Sequence, residues 1–309
     1  MPRAMEAART ADEIRDANTR YHDVAANSYD SKWGIDFGPV GQAQVLGKLR
    51  KVLGSELDRG YERSLEIGAG TGYFSLNLLQ AGVVQEITCT DISPGMVRTL
   101  AANAERLDLP VRAARADAES LPFADESFDL LLGHAVLHHL PDLEAAFDEM
   151  YRVLRPGGRI VFAGEPSRTG DRLASIPKRG AALVSPLWRT LIRADRVEAS
   201  EAAPENGSDD HGLERLVDIH AFDAGHLAGL ARQAGFSEVK IRGEELVANW
   251  FGWFNRSLEA TAEPERVPML WRQYAFHGYL ALQRLDERVL EGRLPPALFY
   301  NLLLSAHRP

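Results

Sequence analysis

Apolar positions along this chain alternate between two spacings. Val45, Leu49, Val52 and Leu53 recur at helical intervals within a stretch, residues 1–60, that reads as helices throughout. Residues 65–67 are a short apolar strand that runs into Gly68-Ala69-Gly70-Thr71-Gly72, and Phe74, Leu78 and Leu79 line one face of the helix that follows. A second strand is expected over 85–90, ending at Asp91. Ser93 and Pro94 then open a helix as cap and first residue, with Met96, Val97, Leu100, Ala104 and Leu107 as its buried stripe. A third strand over 111–116 ends at Asp117, and a fourth over 128–132 leads to Gly133-His134. Pro141-Asp142 starts a helix with Leu143, Phe147, Met150 and Leu154 in register, Pro156-Gly157-Gly158 stops it, and 159–163 is a fifth strand.

Strands alternating with amphipathic helices predict an α/β chain with a mostly parallel sheet covered on both faces. After Glu165 the rhythm breaks. Residues 167–217 mix helical pieces with an acidic loop from Glu198 to Asp210. A helix over 224–234 and a strand over 237–242 restore regularity, 246–296 is irregular and rich in aromatic residues, and 300–306 is a final apolar run. The expected organisation is an N-terminal helical lid over 1–60 and a core over 61–166. A first cap insertion over 167–217, a core helix and strand over 218–245, a second cap insertion over 246–296 and a last core strand over 297–309 follow.

Composition narrows the possibilities. The chain has 309 residues, 45% hydrophobic and 26% charged, enough for a sizeable core. A formal charge of -9 and the lack of a dense Lys/Arg cluster argue against a nucleic-acid partner. The single cysteine, Cys89, sits within a strand and reads as an inert buried thiol; no Cys/His spacing suggests a metal site. The first twenty or so residues lack the apolar core of a signal peptide, and no run of roughly 18 apolar residues would span a membrane. A cytoplasmic location is the expectation.

Ligands of such sheets sit outside the carboxyl ends of the strands, which here carry Gly68–Gly72, Asp91, Asp117 and Gly133-His134. Closely spaced glycines let the backbone turn sharply and approach a ligand, and the helix that follows aims free N–H groups at an anionic group. Asp91 is placed to accept from two ribose hydroxyls and Asp117 from an adenine amino group, so together they would grip an adenosine with an anionic tail. The glycine spacing is G-x-G-x-G, not the dinucleotide G-x-G-x-x-G. Glu66, two residues before the first glycine, would repel a pyrophosphate but could hold an α-ammonium, which favours an amino-acid tail.

Leu65-Glu66-Ile67-Gly68-Ala69-Gly70-Thr71-Gly72 resembles motif I of the class I S-adenosylmethionine (SAM)-dependent methyltransferases. Thr90-Asp91-Ile92-Ser93 is similar to their acidic second-strand motif. Asp117-Ala118-Glu119-Ser120-Leu121-Pro122-Phe123, Ser127-Phe128-Asp129, His138-His139-Leu140-Pro141-Asp142 and Leu154-Arg155-Pro156-Gly157-Gly158 resemble later motifs, in order. The likeness covers about residues 60–165 closely. The last residues, Asn301 onward, resemble the family's antiparallel final strand, which implies a Rossmann-like seven-stranded sheet of order 3-2-1-4-5-7-6. Within the family the pattern is most similar to the small-molecule subgroup, although His134 to Leu140 departs from the quinone methylases.

The resemblance implies SAM as cofactor and S-adenosylhomocysteine as product, with Glu66, Gly68, Ala69, Gly70, Gly72, Asp91, Ile92, Met96, Asp117, Ala118, Gly133 and Tyr29 as cofactor contacts. Ile92 would press on the adenine face, and Tyr29 would belong to a lid that also contains Tyr21-His22-Asp23 and Trp33. His134, beside the expected methyl position, is the candidate general base because a histidine titrates near neutrality. His138, Trp250, Trp253, Tyr274 and His277 are candidates for the acceptor pocket, the tryptophans as an aromatic wall for an apolar acceptor. The expected function is methyl transfer to a small or lipid-like acceptor, O- or C-methylation by direct displacement. The alternatives are an NAD-dependent oxidoreductase on a similar sheet and a non-catalytic SAM-binding protein.

Overall fold

The computed structural model describes residues 10–194 and 220–309. Seven strands form one sheet: β1 (Tyr61–Ile67), β2 (Val84–Asp91), β3 (Arg112–Arg115), β4 (Phe128–His134), β5 (Leu154–Pro166), β6 (Ser237–Glu244) and β7 (Asn301–His307). Their order is β3-β2-β1-β4-β5-β7-β6, and β7 runs antiparallel to both its neighbours. The Rossmann-like architecture expected from the sequence is therefore present. The fifth strand begins earlier than expected, at Leu154, because Pro156-Gly157-Gly158 continues in extended form with Gly157 N–H bonded to Arg308 O at 2.8 Å. The acidic loop from Glu198 to Asp210 lies outside the described residues.

Side chains two residues apart on a strand share a face, and the sheet's two hydrophobic layers follow from that. Leu65, Ile67, Leu131, Ile160, Phe162, Leu302 and Leu304 pack on one side, against α6 (Leu143–Val153) and α8 (Ala224–Gln233). Leu130, Leu132, Val161, Ala163 and Leu303 pack on the other, against α3 (Pro39–Leu53) and α4 (Tyr73–Gln80), with Leu100 of α5 (Pro94–Arg106) in the same layer. Val45, Leu49, Val52 and Leu53, the helical repeat read first in the sequence, thus form a sheet layer. Two other N-terminal helices, α1 (Ala11–Ala25) and α2 (Tyr29–Trp33), lie at the carboxyl edge of the strands instead.

The insertions build a small separate core. Ala181 and Trp188 of α7 (Arg168–Ile192), Leu258 of α9 (Val247–Glu259), Ala262 and Val267 are buried together. The helix α10 (Met269–Leu285) lies beside them with no residue of its own fully buried.

A buried ionic cluster fastens this cap to the sheet. Lys48 of α3 binds Glu244 at the end of β6 and lies 3.3 Å from Glu245, while Lys51 bonds Glu244 at 3.1 Å and Glu291 at 2.8 Å. Tyr279 and Gln283 of α10 donate to Glu245 at 2.7 and 2.8 Å, and Asn301 of β7 donates at 3.2 Å. Glu245 adopts φ +63°, an uncommon conformation for a non-glycine residue that these contacts hold in place. Removing one member of such a cluster leaves a buried charge without compensation. Lys48→Ala should therefore lower unfolding stability by about 3–5 kcal/mol in chemical denaturation, far beyond an ordinary surface change.

Candidate functional site

Four strand ends meet around one cleft of about 700 Å³, its open mouth included. From the sheet it is lined by Gly68 and Gly70, Thr90 to Ile92, Ala116 to Ala118, and His134 to Val136.

The first wall is the turn after β1. Gly68 has φ +57°, and a Cβ there would lie 2.2 Å from Val136 Cγ2, so the β1 and β4 turns approach with no room for a side chain. At Gly70, with φ +52°, a Cβ would meet nothing within 4 Å, so this glycine faces open space. Any side chain there would enter the space a ligand needs, in a backbone conformation that favours glycine.

Asp91 connects this turn to the next helix. Its Oδ2 accepts from Gly70 N–H at 2.9 Å and its Oδ1 from Ser93 N–H at 2.9 Å. Ser93 caps α5 by accepting from Met96 N–H at 3.1 Å, and Asp23 of α1 accepts from both Ser93 Oγ and Gly95 N–H at 2.6 Å. An aspartate at a helix N-terminus is favoured by the helix dipole, so these contacts tie α1 across the edge of the sheet. Burial pushes the Asp91 carboxyl upward, and His22 together with the two backbone donors opposes that.

At the β3 end, Asp117 accepts from Glu119 N–H at 3.0 Å and pairs with Arg15 Nε at 2.9 Å. Arg15 also binds Glu119. At the β4 end, His134 packs edge-on to Tyr73 and tilted over Phe74, ring centroids 5.4 and 4.8 Å away. Burial, and then the nearby Lys48 cation, hold its pKa down at about 3. The near-neutral titration expected of it is absent, because a cation in this half-enclosed site has little solvent and a positive neighbour.

Glu165, at the end of β5, fixes the far wall. Its Oε1 accepts from Val136 and Leu137 N–H at 2.9 and 3.0 Å, and its Oε2 lies 3.2 Å from His138 N and 2.9 Å from His138 Nδ1. One fully buried carboxylate thus organises the whole β4 turn.

Of the predicted site residues, Gly68, Gly70, Asp91, Ile92, Asp117, Ala118, His134 and Tyr29 line the cleft together. Others stand behind it. Ala69 donates its N–H to Thr90 O, Gly72 forms the N-cap of α4, buried Met96 binds the Ser93 cap, and Gly133 is hemmed in by Val136 and Phe162. Glu66 lies beneath the turn, 1% exposed, accepting from Ser75 N–H at 2.9 Å. His138 is held by Glu165. The four cap residues are not part of the cleft lining. Trp253 lies under the Lys178 ammonium and against Tyr300, Trp250 is half-buried on α9, Tyr274 packs on Phe251 and Trp271, and His277 lies against Phe276. Trp253 thus joins α7 to the sheet edge, whereas Tyr274 and His277 are exposed on α10.

Sequence reasoning missed Arg15, Asn18 and the β4-turn residues His139 to Pro141 as cleft-lining groups, and Glu165 as their support. The helix signal was available: Arg15, Asn18 and His22, spaced by three and four, form one polar face of α1. Glu165 was readable only as a carboxylate closing an apolar strand.

The family described as methyltransferase domain matches residues 65–162, the segment that builds every strand end around this cleft. Residues 65–162 are thus similar to a methyltransferase domain. Among curated proteins, a malonyl-(acyl-carrier protein) O-methyltransferase of Methylococcus capsulatus is 37% identical over 164 residues, covering 48% of this chain and 58% of that protein. A demethylmenaquinone methyltransferase of Thermus thermophilus is 36% identical over 117 residues, covering 38% and 53%. The chain spans little more than half the length of these relatives. In fold, it is similar to a phosphoethanolamine N-methyltransferase of Haemonchus contortus, with a TM-score of 0.59 at 15% identity over 96% of this chain and 60% of that one. It is also similar to a (4+2)-cyclase, with a TM-score of 0.56 at 17% identity over 96% and 97%. The family match thus falls within the core, whereas the likeness in fold extends over 96% of the chain.

Burial raises the Glu66 carboxyl to about 8, so it is mostly protonated at neutral pH. A carboxyl whose folded pKa lies above its unfolded value stabilises the fold while protonated and loses that contribution as pH rises through the folded value. Raising the pH from about 6 to about 9 should therefore lower the melting temperature of the wild type by several degrees more than that of Glu66→Gln, which keeps the acceptor for Ser75. Parallel melting curves across that range check this.

Proposed function

We propose that this protein transfers a methyl group from SAM to a small or lipid-like acceptor, on oxygen or carbon, by direct displacement, releasing S-adenosylhomocysteine. The observation that carries the reading is the convergence of Gly70, Asp91-Ile92 and Asp117-Ala118, from three strand ends, on one cleft within the methyltransferase domain.

The residues fit an adenosine bearing an amino-acid tail. Each Asp91 oxygen spends one lone pair on a backbone donor and keeps capacity for a ribose hydroxyl. Ile92 and Ala118 offer apolar surface to the adenine, and Asp117, steadied by Arg15, lies at its edge. The open face of Gly70 and the N-terminus of α4 suit the tail carboxylate. Glu66 supports the turn from below by accepting from Ser75 N–H. Tyr29 and His22, from α2 and α1, cover the opening.

SAM supplies a methyl group already activated on a sulfonium. The protein's task is then alignment and exclusion of water. His134 stays neutral in this role and shapes the wall beside the reacting position. A base with a pKa of about 3 takes a proton poorly at neutral pH. The favoured acceptor is therefore an oxygen that is already ionised in water, or a nucleophilic carbon. The relatives' names, a malonyl-(acyl-carrier protein) O-methyltransferase and a demethylmenaquinone methyltransferase, are compatible with those two classes. The net charge of -9 disfavours nucleic acid as acceptor.

Because a (4+2)-cyclase shares the fold, donor binding and methyl transfer need separate tests. S-adenosylhomocysteine should raise the melting temperature and NAD should not, and Asp91→Ala should weaken the homocysteine ligand by several-fold to about a hundredfold, as loss of charge-assisted bonds implies. Stabilisation by NAD alone would select the oxidoreductase reading. Transfer of labelled methyl to a panel of carboxylic acids and quinols should follow. There, His134→Ala should cost less than about tenfold in turnover, whereas a general base would cost about a hundredfold or more and give an acidic limb near pH 6.5.

A further inference from the structure

The cap carries a surface that the cleft does not use. On α7, Leu183, Leu187 and Leu191 are 83%, 65% and 74% exposed. They are one helical turn apart and form a single line along the helix, with exposed Ile176 and Val184 beside them. The opposite face of α7 is the one that packs: Ala174, Ala181, Ser185 and Trp188 are buried. The aliphatic line therefore points away from the protein. It continues onto α10, where Leu270 and Met269 are 79% and 66% exposed, and a shallow apolar depression formed by Ile192, Pro268, Leu270, Trp271 and Tyr274 joins the two helices. Single exposed leucines are ordinary; a contiguous apolar face of this kind marks an interaction site.

Charge says what the face meets. Although the chain as a whole is at -9, α7 and its C-cap carry Arg168, Arg172, Lys178, Arg179, Arg189 and Arg193 against one acid, Asp171. None of these cations forms an ion pair with a carboxylate among the described residues. At 100° per residue, Arg172 and Arg179 fall at the edge of the aliphatic line, and Arg168 and Arg193 lie further round on the same side. An exposed apolar stripe with a basic border is the pattern of a helix that lies in a membrane interface, its aliphatic side chains among the acyl chains and its cations at anionic headgroups. No helix among the described residues is long and apolar enough to cross a membrane, so the contact is one of lying on the surface.

We propose that the outer face of α7, continued by the start of α10, docks this protein onto an anionic lipid surface. The helix begins at Arg168, capped by Ser167 directly after β5 ends, so docking would hold the ligand-binding edge of the sheet near that surface. The proposal does not depend on the methyl-transfer reading, and its test needs no donor or acceptor.

Vesicle flotation of the full chain provides the test. The protein should float with vesicles of equimolar phosphatidylcholine and phosphatidylglycerol, stay behind with phosphatidylcholine alone, and bind less as salt is raised. Leu183→Glu combined with Leu187→Glu should reduce the bound fraction at least about tenfold with an unchanged melting temperature, since both side chains are solvent-exposed. A second variant, Arg172→Ser with Arg179→Ser, should lose the preference for phosphatidylglycerol. The proposal is overturned if the wild type fails to float with the anionic vesicles, or if the double-glutamate variant binds as well as the wild type. It is also overturned if light scattering shows a dimer that the glutamates dissolve while vesicles bind neither form.

Discussion

Asp91 accepts from the backbone of Gly70 and of Ser93 with one carboxylate, and through that pair the β1 turn, the start of α5 and the cleft become a single rigid unit. The glycine turn bends with positive φ at Gly68, Gly70 and Gly72, a shape that needs an external partner to hold it. The aspartate provides it from the adjacent parallel strand, whose register with β1 places Thr90 opposite Ile67. Asp23 then locks α1 onto the same helix end, bringing Arg15, Asn18 and His22 into the cleft lining. Glu165 does the corresponding work on the opposite wall by gathering the donors of the β4 turn. Two buried carboxylates, one on each side of the central strands, thus shape the cleft between them.

The core was legible because its constraints are local. Alternating strands and helices, a glycine turn, and acids at strand ends each follow from a few consecutive residues. Gly68, Gly70, Asp91, Ile92, Asp117, Ala118 and His134 accordingly meet where the spacing placed them. The properties that depend on distant neighbours were not readable. The depressed pKa of His134 depends partly on Lys48, far away in sequence on α3, and the anchoring role of Glu165 depends on amides nearly thirty residues earlier. The cap is harder still. Its aromatic residues suggested a wall for an acceptor, yet Trp253 lies under Lys178 and against Tyr300, and Tyr274 packs on Phe251 and Trp271, none of them in the cleft lining.

Core and cap are joined by different physics. Within the sheet the layers are apolar and alternate strictly by strand period. Between α3, β6 and α10 the join is a buried set of lysines and glutamates, costly to assemble and intolerant of partial loss. Such a join fixes one orientation of the cap, and its Lys48 cation adds to the burial that holds the His134 pKa down. The insertions therefore bear on the cleft without lining it.

The central claim is that the cleft is built for an adenosine with an amino-acid tail, held by Asp91. A crystal structure of the protein grown with S-adenosylhomocysteine tests it most directly. The account predicts both ribose hydroxyls within hydrogen-bond distance of Asp91, the adenine between Ile92 and Ala118, and the tail lying across Gly70. A ligand bound elsewhere, or a ribose turned away from Asp91 with the turn unoccupied, would contradict it.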